Sequence, residues 1–321
     1  MTSLRFGLLL SVLALGSTSR AETVYVSDEQ ADVIHVIEPP ALDVAARIPV
    51  GRRPRGLALS PDGASLYIAV SEENRIAMLD LKTREIKRYI ASGPDPERVA
   101  LSPDGRTLYV ANEDDALVSF VDIASDTVLA TVDVGGEPEG IAASPNGRWV
   151  ICTSEAASLV HFIDAASAAL VDSVKVGTRP RDAVFSRDGR WLWVSSETRA
   201  TVAVFDMQDR ASVRTLDFRA DPDAPVGVQA VGIALTADGA GAYVALGRGN
   251  HAAQVDARTL KVERYVPVGQ RNWGIALSRD ESRVYAASGL SGDVTVIDAV
   301  RGEVIDTIKT GGKPWGVIVA P

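Results

Sequence analysis

Arginine, lysine and tryptophan residues recur at matching positions along the chain, and their types suit the binding of an anion. Arginine grips a carboxylate through two parallel hydrogen bonds, and tryptophan offers a flat apolar surface. The candidate binding residues are Trp273, Trp315, Arg55, Arg271, Arg248, Lys313 and Asn272. They predict a pocket or docking face for a small anionic ligand or a partner protein. The alternative is that the two tryptophans serve only in packing and that the charges are ordinary solvated surface.

Residues that could catalyse a reaction are few. The three histidines, His35, His161 and His251, are scattered and form no pair with metal-ligand spacing. The sequence has no haem-attachment motif, phosphate loop or nucleophile elbow. We therefore predict no catalytic residue, no metal and no cofactor. The best enzymatic alternative is an acid–base group made of Glu97, Glu139 and Arg181.

A repeated phrase, apolar-Ala-apolar-Ser-x-Asp-Gly, carries these residues and sets the architecture. Copies begin at Gly56, Arg98, Gly140, Asp182, Gly232, Gly274 and Gly316. The spacing is 42 residues except for one step of 50. Each copy predicts four short strands with an Asp-Gly turn in the first hairpin, which is typical of a propeller blade. The aspartates that end each third strand are predicted to bond turn amides. They are Asp80, Asp122, Asp164, Asp206, Asp256 and Asp298.

The number of copies predicts an all-β, seven-bladed β-propeller. Six blades begin near residues 54, 96, 138, 180, 230 and 272, and we number them 1 to 6. Blade 7 joins residues 314–321 to residues 22–53, so the C-terminal strand pairs with N-terminal strands and closes the ring. Closure removes the exposed sheet edges that would template aggregation. Residues 22–321 are therefore predicted to form a single domain.

Breaks in the repeat are the places where we expect function. The residue before each repeated glycine should lie on one rim of the disc, at the start of a first strand. Acids prevail in blades 2 to 4, whereas Gly247 and Gly289 leave room beside the tryptophans of blades 6 and 7. Eight extra residues precede blade 5, within Phe218 to Gln229. This insertion is either a lid or contact loop on the same rim or an inert surface segment.

Residues 1–21 have the pattern of an export signal, with Arg5, an apolar run and a small-residue cleavage site. A retained N-terminal anchor is the alternative; no other segment has the roughly 18 apolar residues of a membrane span.

Removal of Arg5 and Arg20 would change the net charge from −9 to −11. Such an acidic protein is a poor general binder of nucleic acid. The one cysteine, Cys152, excludes an internal disulfide and is expected in the core.

The sequence resembles the YVTN-type seven-bladed propellers. The family pattern appears as VGRRPRGLALSPDGASLYIAV from Val50 and as PERVALSPDGRTLYVANED from Pro96. The segments AETVYVSDEQADVIHVI, RNWGIALS and GKPWGVIVAP are most similar to exported propellers that accompany pyrroloquinoline-quinone (PQQ) dependent alcohol catabolism. The likeness covers the whole of residues 22–321. It implies a periplasmic accessory or binding role near a PQQ-dependent dehydrogenase or its cytochrome, not that this chain holds PQQ or oxidises alcohol.

Other propellers of similar type supply rival interpretations. Seven-bladed lactonases resemble this fold and need an acid–base cluster in the funnel, for which Glu97, Glu139 and Arg181 are the candidates. Nitrite-reductase propellers hold haem d1 through histidine, but none of the three histidines matches the required rim position. Some relatives bind single-stranded nucleic acid, and stacking on tryptophan would suit that function. The negative net charge opposes it.

Overall fold

Seven four-stranded antiparallel sheets form a closed ring in the computed structural model, which confirms the predicted seven-bladed β-propeller. The structure describes residues 22–321, apart from the side chains of residues 211–213. The predicted export signal at residues 1–21 lies outside the described residues. Among the described residues no helix has the length and apolar character needed to cross a membrane.

The strands follow the 42-residue repeat closely. In blade 7 and blades 1 to 3 they are β1 (Thr23–Asp28), β2 (Val33–Ile37), β3 (Val44–Pro49), β4 (Pro54–Leu59), β5 (Ser65–Val70), β6 (Arg75–Asp80), β7 (Glu85–Ala91), β8 (Pro96–Leu101), β9 (Thr107–Asn112), β10 (Leu117–Asp122), β11 (Thr127–Asp133), β12 (Pro138–Ala143), β13 (Trp149–Ser154), β14 (Leu159–Asp164) and β15 (Ala169–Lys175). In blades 4 to 7 they are β16 (Pro180–Phe185), β17 (Trp191–Ser196), β18 (Thr201–Asp206), β19 (Ala211–Asp217), β20 (Ile233–Leu235), β21 (Gly241–Ala245), β22 (His251–Asp256), β23 (Lys261–Pro267), β24 (Asn272–Leu277), β25 (Arg283–Ser288), β26 (Asp293–Asp298), β27 (Glu303–Lys309) and β28 (Pro314–Ala320). Two short 3-10 helices span Ser71–Glu73 and Phe218–Ala220.

The turns form for the reasons that the repeat predicts. In blade 1 the side chain of Asp62 accepts hydrogen bonds from Ser60 and from the amide of Ala64, and Gly63 adopts a φ of 68°. Each of the six aspartates that end a third strand accepts a hydrogen bond from a turn amide, as predicted. These carboxylates therefore stabilise the hairpins between third and fourth strands and are not free for chemistry.

The ring closes where β28 completes the sheet of blade 7 by pairing antiparallel with β1, for example Tyr25 with Ile318. The core consists of apolar layers between neighbouring blades, since each sheet buries both faces. Cys152 lies within one such layer and is fully buried, as expected. These layers hold the first strands in place around the axis.

The insertion before blade 5 packs against the ring at one end and contacts the candidate rim at the other. Phe218 is fully buried in the layer between blades 4 and 5. Asp221 accepts a 2.7 Å hydrogen bond from Tyr265. At the far end, the side chain of Gln229 accepts hydrogen bonds from the amide of Arg248 and from the guanidinium of Arg271. The insertion therefore supports the rim beside those two arginines.

Candidate functional site

The first strands converge on the axis, and their opening residues line a funnel on one rim. In order around the ring, the residues before the repeated glycines are Arg55, Glu97, Glu139, Arg181, Val231, Trp273 and Trp315. The ends of the second strands add Glu29, Glu113, Glu155 and Glu197 at the same level. Residues 42 apart in sequence are neighbours across a blade junction. Charged residues that the sequence separates into acidic and basic groups are thereby brought into contact.

One half of the funnel is an ion-pair network around Arg55. The Arg55 guanidinium bonds Glu97 and lies 3.2 Å from a Glu29 carboxylate oxygen. Arg53 contacts the same Glu97 at 3.5 Å and Asp95 at 3.2 Å. Arg55 and Glu97 are both largely buried. The main interaction of Arg55 is therefore the buried ion pair that neutralises Glu97.

The other half is a second network around Arg181. Its guanidinium lies 3.0 Å from Glu139, bonds Glu155 and lies 3.7 Å from Glu197. Arg271 contacts Glu197 at 2.8 Å from the rim side. Burial is the main cause that raises the pKa of Glu155, to about 7, and it also raises the pKa of Glu139. Several ionisable groups thus converge here within hydrogen-bond reach.

A third ion pair joins the first strands of two blades that are not neighbours, and sequence reasoning missed it. Arg98 and Asp182 stand where five of the seven repeats have glycine, and they meet at 3.2 Å although they are two blades apart. The Arg98 guanidinium also lies 4.7 Å from the centre of the Trp315 ring. The sequence did contain a signal for this pair, because the two residues that replace the repeated glycine carry opposite charges.

The structure gives the two tryptophans different surroundings. Trp315 is only 2% exposed and is covered by Arg55 and Arg98, whose guanidinium carbons lie 5.0 and 4.7 Å from its ring. Trp273 is partly exposed, with Arg271 stacked on it at 4.0 Å. Asn272 is fully buried and donates to backbone carbonyls of Gly274 and Ala287. Trp315 and Asn272 therefore support the rim from below, while Trp273 faces the surface.

The remaining predicted residues surround a surface depression. Arg248, Arg271, Trp273 and Lys313 line a cavity of about 200 Å³ together with Glu29, Gly289 and Leu290. Gly289 leaves this space open, since a β-carbon there would lie 2.9 Å from the Trp273 ring. A second cavity of about 310 Å³, lined by Arg53, Arg55, Gln30, Glu29 and Lys313, adjoins it. Five of the seven predicted residues thus border this cleft; that they bind a ligand stays a prediction.

Arg248 and Lys313 are the cations of this cleft that remain available. Both side chains are exposed, and neither lies within 4.0 Å of a carboxylate oxygen among the described residues. Arg55 and Arg271, by contrast, are already paired with Glu97 and Glu197. Free cations beside the Trp273 ring make the cleft attractive to an anion with a flat apolar body.

Three carboxylates at the edge of the funnel form the one group of potential metal ligands in residues 22–321. Oxygens of Asp95, Glu97 and Glu113 lie within 4.8 Å of one another. Arginines already neutralise two of them, Asp95 and Glu97. Burial raises the pKa of Glu113 to about 8, and the charge of Glu97 and a hydrogen bond to it add to the shift. Near neutral pH, the Glu113 carboxyl therefore keeps a proton that it donates to Glu97.

The Glu113 proton predicts a specific pH dependence. Because folding raises the pKa of Glu113 from 4.5, its contribution to stability is complete below pH 4.5 and is lost as the pH rises through about 8. Glu113→Gln should remove this loss. Between pH 6 and pH 9 the unfolding free energy of the variant should gain on that of the native protein by about 1 kcal/mol or more. Urea unfolding at several pH values measures the difference. Asp115→Asn, an exposed acid on the same turn, should show no such gain.

The three histidines each serve their own blade. His35 lies 2.9 Å from Asp28, and both side chains are buried. His161 is bonded to Ser154 and Ser173 at 2.9 and 2.8 Å, and burial lowers its pKa to about 4. His251 bonds the carbonyl oxygen of Gly249 at 2.7 Å. These contacts give each histidine a structural partner within its own blade.

Several solved structures have the same fold as this chain. Among solved structures, the hydrazine synthase of Kuenenia stuttgartiensis is 20% identical, with a TM-score of 0.71 over 82% of this chain and 88% of the other. A protein from Lactobacillus plantarum is 18% identical, with a TM-score of 0.79 over 94% and 99%. The dihydro-heme d1 dehydrogenase NirN is 16% identical, with a TM-score of 0.68 over 92% and 74%. At these identities the matches show the fold alone.

No curated protein matches the sequence. A family model does, over nearly the whole chain: the model of the YNCE-like beta-propellers matches residues 7–320. The seven-bladed ring and this match agree. The chain belongs to the YNCE-like β-propeller family.

Proposed function

We propose that this protein is a non-catalytic binding propeller that holds a small anionic ligand in the cleft between Trp273, Arg248 and Lys313. The observation that carries the proposal is a pair of exposed cations, with no carboxylate partner in residues 22–321, beside a partly exposed aromatic ring. Arg271 would position the Trp273 ring, on which it stacks. The ligand would place its flat body on Trp273 and its negative groups on Arg248 and Lys313.

The likeness to propellers of PQQ-dependent alcohol catabolism suggests where this binding is used. PQQ is a planar quinone with three carboxylates, so its chemistry suits a tryptophan beside free cations. We propose a periplasmic accessory role in which the rim holds such a carboxylate or docks an acidic surface of a quinoprotein dehydrogenase or its cytochrome. Titration of the protein with PQQ, a tricarboxylate without a ring such as citrate, and inorganic phosphate, followed by calorimetry, tests the ligand. Co-purification from a periplasmic extract tests the partner.

Removal of both free cations should weaken binding strongly. Arg248→Ala combined with Lys313→Ala should raise the dissociation constant for PQQ about tenfold or more, since each charge-assisted hydrogen bond contributes about 1.5–3 kcal/mol. Binding by the native protein should also weaken as salt is added. The matched control is Lys261→Ala, which removes an exposed cation at the start of β23 on the opposite rim. Equal affinity of the double variant and the control would contradict the assignment of the site.

One observation favours a second candidate function, a lactonase-like hydrolase. Arg181, Glu139 and Glu155 converge in the funnel, and Glu113 holds a proton near neutral pH. A half-buried acid beside a carboxylate can transfer a proton during ring opening. Gluconolactone hydrolysis by native protein and by Glu113→Gln distinguishes the two functions. Hydrolysis that disappears in the variant would favour the enzyme, whereas no hydrolysis by the native protein would leave the binding function alone.

A further inference from the structure

The junctions between blades are closed by a recurring contact on the rim opposite the funnel. In four of the seven junctions a proline ring of one blade lies against the turn glycine of the next. The pairs are Pro321 with Gly63, Pro61 with Gly105, Pro103 with Gly147, and Pro145 with Gly189. A β-carbon on these glycines would lie 2.8–3.6 Å from a ring carbon. The proline of the Ser-Pro-Asp/Asn-Gly turn is thus a packing element between blades as well as a turn residue.

Two of the junctions that lack the proline replace it with a carboxylate. Between blades 5 and 6, Glu281 accepts a 2.5 Å hydrogen bond from the amide of Ala237. Between blades 6 and 7, Glu22 accepts a 3.0 Å hydrogen bond from the amide of Arg279. Ala237 and Arg279 occupy the proline position of their turns. The amide that proline would lack is therefore used by the following blade.

The junction between blades 4 and 5 has neither device. Arg187 replaces the proline, and its amide donates no hydrogen bond to a described residue. Opposite it, the turn glycine is Gly239, and no described atom lies within 4 Å of a β-carbon built there. Two adjoining cavities of about 270 and 160 Å³ occupy this junction and share Ser186, Trp191 and Gly239. Of the three junctions that lack the proline, this is the one where no glutamate of the following blade takes its place.

The walls of this opening suit an apolar ring. Trp191, Trp193, Val204 and Leu235 line the larger cavity. In the sequence, this cavity corresponds to the Trp-Leu-Trp run of β17 on one wall and to Gly239 of blade 5 on the other. Two positions later, Gly241 stands where the other five complete repeats have a larger residue. Small residues on one wall and two indoles on the other leave an apolar slot between the blades.

Cations surround the slot at its mouth. Arg187, Arg214 and Arg258 are exposed and have no carboxylate oxygen within 4.0 Å among residues 22–321. The nearby acids Asp188 and Asp238 already accept hydrogen bonds from their own turns. Arg214 already donates to the backbone carbonyls of Arg258 and Ala257 across the junction. Among the described residues, the Arg187 and Arg258 side chains therefore remain to meet backbone carbonyls or acidic side chains of a bound segment.

We propose that this slot is a docking site for an extended, proline-containing peptide segment of a partner protein. The pyrrolidine ring would fill the position that Pro61, Pro103 and Pro145 fill elsewhere in the same fold. Proline-rich segments are extended, with carbonyls free to accept hydrogen bonds, and they dock in aromatic-lined grooves. Trp191 would supply the aromatic wall, and the amide of Arg187 would meet a peptide carbonyl. The site is separate from the anion cleft, which lies on the opposite rim.

The variant that tests this proposal is taken from the equivalent position of other blades. Arg187→Pro restores the residue found at this position in blades 1 to 3, sacrifices no described hydrogen bond and should fill the slot from within. Arg187→Ala removes the same cation but leaves the slot open. Titration with acetylated pentaproline, followed by tryptophan fluorescence and calorimetry, should show binding by the native protein and by Arg187→Ala. Arg187→Pro should bind at least tenfold more weakly. Length-matched acetylated pentaalanine should bind more weakly to all three proteins.

Each outcome of this experiment decides the proposal. Retained pentaproline binding by Arg187→Pro would overturn it, as would the absence of binding by the native protein at millimolar peptide. Binding of N-acetyl-tryptophan amide with no response to pentaproline would also overturn it, in favour of a slot for aromatic side chains. The double variant Arg248→Ala, Lys313→Ala should bind pentaproline as the native protein does, which keeps this test independent of the anion cleft.

Discussion

Replacement of Arg181 by methionine should lower the free energy of unfolding by about 3–5 kcal/mol at pH 7. Arg181 is 4% exposed and contacts three carboxylates, Glu139, Glu155 and Glu197, which are equally buried. Methionine keeps the unbranched stem of the side chain but removes the charged guanidinium group. Breaking a buried ion pair from one side is costly because the remaining charge stays buried without compensation. Urea unfolding measures the loss.

The loss should depend on pH in a predictable direction. Burial already raises the pKa of Glu155 to about 7 and raises that of Glu139. Without Arg181 both pKa values rise further, so both carboxyls take up protons more readily as the pH falls. A neutral carboxyl needs no cation, and the deficit of the variant should therefore be smaller at pH 5 than at pH 8. A deficit that does not change between these values would mean that packing, not charge, is the cause.

A neighbouring arginine provides the control for this variant. Arg179 contacts the same Glu155 and Glu197, but its side chain is 47% exposed. Solvent screens such a pair, and Arg179→Met should cost less than about 1 kcal/mol. Similar losses for the two variants would contradict the distinction between a buried network and a solvated rim.

The fold was predictable from the sequence because the repeat carries its own register. The Ser-Pro-Asp-Gly turn fixes the first hairpin, and the 42-residue step then places every other strand. The N-terminal strands lie 42 residues before those of blade 1, and this spacing predicts the closure that β28 and β1 make. A sequence repeat predicts structure that is itself repeated, and the strands of the ring are repeated structure.

The funnel was predictable only as a set of positions. The sequence shows which residues break the repeat, but it does not show that Arg55 pairs with Glu97, its equivalent in the next blade. Nor does it show that Arg98 and Asp182 meet, although they are two blades apart. Such contacts depend on how closely the inner strands converge. The same convergence buries Trp315 while leaving Trp273 partly exposed, although the two occupy one repeat position.

The slot between blades 4 and 5 is a second feature that the sequence alone does not show. The change from proline to Arg187 is visible in the sequence, and it recurs as Ala237 and Arg279 in the next two blades. Two of these changes are compensated by glutamates from the following blade, and one is not. A substitution in a repeat therefore indicates a site only when the facing residue is known as well.

The close approach of neighbouring first strands predicts a second large loss of stability, at Gly274. Gly274→Ala should lower the free energy of unfolding by about 3 kcal/mol, at the upper end of the cost of overpacking. A β-carbon at Gly274 would lie 2.5 Å from the carbonyl oxygen of Trp315 and 3.1 Å from the amide of Val317. Both are backbone atoms of β28, so no side chain can move aside to make room.

The matched control is a glycine whose surroundings are open. Gly239→Ala introduces a β-carbon with no described atom within 4 Å, and its cost should be about 1 kcal/mol, set only by the positive φ of 66°. Comparable losses for the two variants would show that the close approach at Gly274 is relaxed in solution.

The Gly274 variant should also affect the anion cleft, because of where the displaced strand leads. β28 closes the ring through β1, and the residue pushed away is Trp315, which supports Arg55 and Arg98 in the funnel. Trp273 immediately precedes Gly274 and faces the cleft. A shift of these two strands apart should therefore weaken ligand binding in Gly274→Ala even where the protein remains folded. Gly239→Ala, on the other rim, should leave that binding unchanged, so calorimetry on the two variants tests whether the same glycine contacts that close the ring also set the shape of the cleft.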